Sequence, residues 1–190
     1  MSVRLRPLRR TDGPKVLTWR NSDAVAPYMY SDHQITPEEH SAWLERALTL
    51  RDRAFWIIEL DDADVGLANL AAISLTHKRC EWAYYLAEPS TRGRGVGQAV
   101  EFAMLRHVFE DRRLNKLWCE VLVENEGVWK LHERFGFVRE AHFRDHVFRA
   151  GVAKDVFGLG LLSRDWPKAR EAALMRFAEK GQAPAEFIAG

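Results

Sequence analysis

The chain has 190 residues, 47% of them hydrophobic and 29% charged, the make-up of a globular protein large enough to bury its own core. Its 28 Lys and Arg against 27 Asp and Glu leave a formal charge of +1, which gives no reason to expect a nucleic acid or an acidic membrane surface as partner. No apolar run is long enough to span a bilayer, the N-terminus Met-Ser-Val-Arg-Leu-Arg-Pro has no apolar signal region, and Cys80 and Cys119 read as buried reduced thiols, so a cytoplasmic protein is expected.

Val3, Leu5 and Leu8 among arginines predict a first strand over residues 2–8, broken by Pro7. Asp12 predicts the cap of a helix carrying Val16, Leu17 and Trp19, which fades near Asn21. A loop follows through Tyr28, Met29, Tyr30, Ser31 and His33. Thr36-Pro37-Glu38-Glu39 combines a capping box with Pro at the first helical position, and the helix it opens puts His40, Trp43, Leu44, Ala47 and Leu48 on one face. From Arg53 the period shortens: residues 55–60 and 65–75 predict a hairpin around a turn at 61–64, and 81–86 a further aromatic strand. A turn rich in Arg and Gly then opens a helix whose stripe is Val96, Val100, Ala103, Met104, Val108 and Phe109. Residues 116–123 predict a central strand, and 125–135 a short helix with Val128, Leu131, His132 and Phe135 on one side, stopped by Gly136. Residues 137–148 and 152–162 predict the last two strands, 165–180 an amphipathic helix, and 181–190 a frayed tail. This order predicts a mixed α/β layer structure, divided into a domain at 1–163 and a C-terminal helix and tail at 164–190.

The turn carries the first chemistry. Gly93, Gly95 and Gly97 let the backbone turn tightly and approach a ligand, and a helix start favours an anion, above all a phosphate. Arg92 and Arg94 can add charge-assisted hydrogen bonds to that anion. The spacing is not the Rossmann fingerprint, because the third glycine comes one residue early, and it is not a Walker loop, because Gln98 stands where Lys would follow the glycine. Taken alone, the turn leaves the ligand open and is compatible with a structural strand-to-helix turn.

Arg92-x-x-Gly95-x-Gly97, then a helix, a strand, Asn125 and Glu133-Arg-Phe-Gly-Phe137, resembles the GNAT acetyltransferases over about residues 3–162. The resemblance implies a mixed seven-stranded sheet flanked by helices and splayed between its fourth and fifth strands, with acetyl-CoA as cosubstrate in the opening. Carried onto this chain, it places the pyrophosphate on Arg92, Gly93, Arg94, Gly95, Val96 and Gly97 and the pantetheine along Tyr84, Tyr85 and Leu86, with Asn125 and Lys130 flanking. No metal is expected, since no His/Cys cluster has ligand spacing. The family has a tyrosine acid seven residues after the Asn; this chain has His132 there. A neutral imidazole can donate one N–H to the leaving sulfur and a charged one can give up a proton, so His132 is expected to be the acid, a core histidine being the alternative. Glu81, at the start of the fourth strand on the same face as Tyr85, is the expected base, acting through a water; an exposed rim glutamate is the alternative.

Trp19-Arg-Asn-Ser22, Tyr28-Met-Tyr-Ser31 and the downstream His40 resemble one branch, the N-acetyltransferases of bacterial pseudaminic-acid biosynthesis. That implies transfer to the 4-amino group of a UDP-4-amino-4,6-dideoxy sugar on the way to flagellin glycosylation. Arg20 would hold a phosphate or uracil carbonyl, Asn21 and His40 would supply hydrogen bonds, and Tyr30, Trp43 and Tyr85 would face the sugar or base. Packing of His40 and Trp43, and capping by Arg20 and Asn21, are the alternatives. Leu70-Ala71-Ala72-Ile73 on the third strand offers no side-chain hydrogen bonds, which leaves the particular amino sugar open. Two other functions stay in view: acetylation of ribosomal-protein N-termini or other small amines, and acyl-CoA binding without catalysis. Monomer and homodimer are both compatible with the terminal helix.

Overall fold

A computed structural model describes residues 1–188. One sheet organises the chain, built from β1 (Val3–Pro7), β2 (Ala54–Leu60), β3 (Ala63–Ser74), β4 (Arg79–Leu86), β5 (Lys116–Leu122), β6 (Val138–Arg149), β7 (Val152–Leu162) and β8 (Glu186–Phe187). Their order is β6-β7-β5-β4-β3-β2-β1-β8, with β4–β5 and β1–β8 parallel and the other pairs antiparallel. The expected sheet of seven strands is thus one of eight. The extra strand comes from the tail predicted to fray: Ala185 is fully buried, its N–H donates to the Ala99 carbonyl at 3.2 Å, and the Ile188 N–H donates to the Leu5 carbonyl at 2.9 Å. A two-residue strand is too short to leave a period in the sequence. Residues 189–190 of that tail lie outside the described residues.

The helices α1 (Gly13–Arg20) and α2 (Pro37–Thr49) cover one face, and α3 (Val96–Arg106), α4 (Glu126–Arg134) and α5 (Trp166–Glu179) the other. Covering both faces makes the inner strands apolar on both sides: Ile57 packs toward α1 and α2, Ile58 toward α3, and neither is exposed. Each such side chain stabilises the fold by about 1.5–3 kcal/mol through burial. The capping box at α2 forms, with the Glu39 N–H donating to Thr36 Oγ1 at 3.2 Å and the Thr36 N–H to Glu39 Oε2 at 2.8 Å. Asp12 makes no side-chain cap on α1; it accepts instead from both terminal nitrogens of Arg6 and from the Arg9 N–H. Both thiols, Cys80 and Cys119, are free and buried.

The feature that positions a site is the parting of β4 and β5. They pair only from Arg79–Lys116 to Glu81–Trp118, although β4 runs on to Leu86 and β5 to Leu122. On its other side β4 stays bonded to β3 as far as Leu86, so the edge of residues 83–86 facing β5 has no strand partner. Unpaired backbone amides inside a protein demand a partner. No helix among the described residues is long and apolar enough to cross a membrane.

Candidate active site

A cavity of about 880 Å³ opens at this parting. Its floor is the free edge of β4, with Tyr84, Tyr85 and Leu86, and one end is the turn of Arg92, Gly93, Gly95, Val96 and Gly97. Gly93 and Gly95 have φ of +70° and +77°, the left-handed region that side chains disfavour, and Gly95 is the N-cap of α3. The turn therefore leads straight into a helix N-terminus, a natural anion cradle. Asn125, the N-cap of α4, lines the cavity, and its side chain makes no cap hydrogen bond.

Two of the residues expected at the cosubstrate lie elsewhere. Arg94 turns away and pairs with Asp61 at 2.6 Å, outside the cavity lining. Lys130 lies on the solvent side of α4, paired with Glu126 one helical turn earlier at 2.5 Å, because an i,i+4 neighbour is the nearest anion to it. Two unexpected residues, Lys180 and Gln182, reach the cavity from the C-terminal segment, and Gln182 Nε2 donates to the Arg94 carbonyl at 3.2 Å.

The two faces of β4 give the cavity two sides. Trp82 and Tyr84 point toward α3, stacked on one another at 5.4 Å, with the Tyr84 hydroxyl beneath Gly97. His132 lines the cavity on this side, its Nδ1 2.9 Å from Oε1 of Glu101 on α3. Burial opposes charge on His132, but the charge of Glu101 and hydrogen bonds to Cys119 and Glu101 outweigh it, and its pKa is pushed up to about 10. Burial and the charge of Glu101 raise the Tyr84 phenol, which stays protonated.

Glu81 and Tyr85 point to the opposite face, toward α1, α2 and their loop. Glu81 sits at the last rung before the strands part, half-buried and just outside the cavity lining, which on β4 begins at Trp82; its pKa is raised by burial and by the charge of Glu120 on β5. Glu120 lines the cavity, accepts from the Tyr30 hydroxyl at 2.6 Å, and has His146 Nε2 at 3.9 Å. The Tyr85 hydroxyl is buried without a partner at the same face, and Arg20 is close enough to oppose the burial-driven rise of its pKa. Tyr28, Met29 and Tyr30 form the mouth, Tyr28 being 50% exposed. The β6–β7 hairpin secures that loop: Arg149 donates to the carbonyls of Ala26 and Pro27, and the Ala150 N–H to Asp32 at 2.6 Å.

Of the residues expected to hold the acceptor, Tyr30 and Tyr85 line the cavity and Arg20, Asn21, His40 and Trp43 do not. Asn21 uses its amide on the backbone of Ile35, donating to the carbonyl and accepting from the N–H, both at 2.9 Å. His40 and Trp43 stack at 5.0 Å in the cluster beneath α2, with Trp43 edge-on to Phe55; the apolar stripe that carries them is a packing stripe. Arg20 is half-buried and bonded to Ser31. Glu101 and Glu120 were not singled out from the sequence, and Cys119 was read there only as a buried thiol. Glu101 had one signal, a lone acid inside the otherwise apolar run of α3; the pairing of Glu120 with Glu81 depends on strand register and had none.

Residues 2–138 match the family described as Acetyltransferase (GNAT) domain. The chain is 26% identical over 153 residues to the spermidine N(1)-acetyltransferase of Vibrio cholerae, covering 80% of this chain and 88% of that protein. It is 25% identical over 122 residues to the acetyltransferase PseH of Campylobacter jejuni, covering 64% of this chain and 74% of that one. In structure it is similar to spermidine N-acetyltransferase from Vibrio cholerae in complex with CoA and spermine, with a TM-score of 0.81 over 87% of this chain and 98% of that one, at 23% identity.

Proposed function

Since this chain belongs to the GNAT acetyltransferase family and is an acetyl-CoA-dependent N-acetyltransferase, we propose that its acceptor is a small-molecule primary amine received between Glu81 and Glu120. The observation that carries this reading is the carboxylate pair on the acceptor face of the strand parting, Glu81 raised by burial and by its neighbour, Glu120 held by Tyr30. An ammonium entering there meets two acceptors for the proton it must lose before its nitrogen can attack.

Acetyl-CoA supplies the acetyl group as an activated thioester. The left-handed glycine turn, the start of α3 and Arg92 suit its pyrophosphate, and the free edge of residues 83–86 suits the amides of its pantetheine arm. Among the described residues no group of three or more His, Cys, Asp or Glu could hold a metal ion. Glu81, directly or through a water, takes the amine proton, and His132 gives its Nε2 proton to the departing sulfur.

The acceptor read first is a UDP-linked 4-amino-4,6-dideoxy sugar of the pseudaminic-acid type. The half-exposed aromatic mouth of Tyr28 and Tyr30 offers stacking surfaces for a sugar or base, Arg20 lies behind Tyr85, and PseH is among the relatives. A linear polyamine is the second reading, favoured by the same carboxylate pair and by the spermidine acetyltransferase relatives. Thiol release from acetyl-CoA, followed over UDP-4-amino sugars, spermidine, spermine and ribosomal-protein N-terminal peptides, separates them. Turnover of the sugar alone supports the first reading, turnover of polyamines alone replaces it with the second, and turnover of peptides alone rejects both. Cosubstrate binding without turnover of any amine would leave an acyl-CoA-binding module.

A further inference from the structure

We propose that Glu101 is a positioning residue for acetyl transfer: from the interior of α3 it fixes the ring of His132 and keeps it an imidazolium, so that Nε2 carries the proton delivered to the leaving sulfur. The inference rests on the reading of His132 as the acid and extends it to a residue that touches neither acetyl-CoA nor acceptor.

Glu101 is fully buried, and along α3 its neighbours are Val100, Phe102, Ala103, Met104 and Leu105. A carboxylate in such a place costs several kcal/mol unless it is paired, and an apolar pair of similar volume would generally hold a fold at least as well. Its Oε1 is 2.9 Å from His132 Nδ1, and its Oε2 has no hydrogen-bond partner. An ion pair that contributes little to the core but has one member in the wall of the cavity is placed for chemistry.

Glu101 also determines which nitrogen is free. With Nδ1 committed to the carboxylate, Nε2 is the nitrogen left for the cavity that His132 lines. The rings of Trp82 and Phe137, at 5.1 and 5.2 Å, hold the imidazole between them. The titratable groups facing the pair are Cys119 from β5, Tyr84 from β4 and Arg176 from α5, the last acting on Glu101. Glu101 is the carboxyl among them that touches the ring; burial raises its own pKa, while its charge and hydrogen bond, together with Cys119, outweigh the burial that would discharge His132.

The balance of the step is simple. A bond forms between the amine nitrogen and the carbonyl carbon, the carbon–sulfur bond breaks, and the electron pair goes to sulfur. His132 Nε2 gives sulfur a proton, the amine proton goes to Glu81 and from there to solvent, and His132 regains a proton from solvent.

Two readouts test this, one of them independent of turnover. Imidazole NMR titration of the wild-type protein, with His132→Asn to assign the signal, is expected to show His132 charged up to about pH 10 and, in Glu101→Gln, titrating below its ordinary 6.5. In parallel, kcat of Glu101→Gln is expected to fall at least tenfold at pH 8 and to recover toward acidic pH, with KM for acetyl-CoA unchanged; Glu101→Asp should recover most of the loss. A wild-type His132 titrating at 6.5 or below overturns the proposal even if no variant folds. An unchanged His132 titration and kcat–pH profile in Glu101→Gln overturns it while leaving His132 as the acid. A shifted titration with an unchanged profile overturns the acid role of His132 itself. Acetylated Cys119, found by intact mass after incubation with acetyl-CoA without amine, would overturn it in favour of an acyl-enzyme.

Discussion

Asn21 gives both ends of its amide to Ile35, which ties the end of α1 to the chain entering α2. Asn21→Ala is therefore expected to lower stability by about 1–3 kcal/mol, two hydrogen bonds at roughly 1 kcal/mol each plus two backbone groups left searching for partners. Urea unfolding measures it, and a variant of wild-type stability with a raised acceptor KM would instead make Asn21 a substrate contact. The carboxylates make a second prediction. Burial first and Glu120 second raise the Glu81 pKa above its ordinary value, and a base works only when deprotonated, so kcat/KM falls as pH drops through that raised value. Glu120→Gln removes the like charge and should move this acidic limb to lower pH, whereas Glu81→Gln should remove the limb and about 10²-fold of kcat. A limb that stays in place in both variants would exclude the pair as the proton acceptor.

The turn between β4 and α3 shows how much of an element is set by its neighbours. A Cβ on Gly95 would stand 2.7 Å from Gln182 Oε1, and the residue has φ +77°. Gly95→Ala is expected to cost about 1–2 kcal/mol from the left-handed backbone alone, and Gln182→Ala in the same chain would relieve the contact but not the strain. Isothermal titration with CoA should show weaker binding in Gly95→Ala and no full recovery in the double variant; full recovery would mean that the clash, not the backbone, was the fault. This turn was legible in the sequence because glycine spacing, an arginine and a following helical stripe are all local signals. So were the strands and helices, from the alternation of residues 55–60 to the capping box at Thr36. What was not legible lay between elements: Arg94 meeting Asp61, Lys130 turned to Glu126, Glu120 brought beside Glu81 by register. His40 and Trp43 show the same limit in reverse, since an apolar helix stripe looks alike whether it packs on a core or faces a ligand.

At the scale of the molecule, the parting of β4 from β5 separates a side under α3 and α4, proposed for the cosubstrate, from a side under α1, α2 and the β6–β7 hairpin, proposed for the acceptor, and β4 contributes a row of side chains to each. The C-terminal segment holds the first of these sides to the rest of the protein. Gln182 bonds the Arg94 carbonyl in the glycine turn, Ala185 bonds the Ala99 carbonyl in α3, and Glu186–Phe187 pairs with β1 at Arg4 and Leu5. A chain ending at Lys180 loses these bonds and the buried Ala185, and leaves β1 as an open edge. At about 1 kcal/mol per hydrogen bond the loss is about 3–4 kcal/mol, or roughly 6–16 °C in Tm for a chain of this size. The truncated protein should bind CoA more weakly as well, because the turn proposed to receive the pyrophosphate has lost Gln182, and it should self-associate through the exposed edge. Calorimetry, CoA titration and light scattering read the three effects separately. Unchanged Tm and unchanged CoA affinity together would mean that the segment lies on the surface without holding the site; a lowered Tm with unchanged affinity would confine its role to the edge of the sheet.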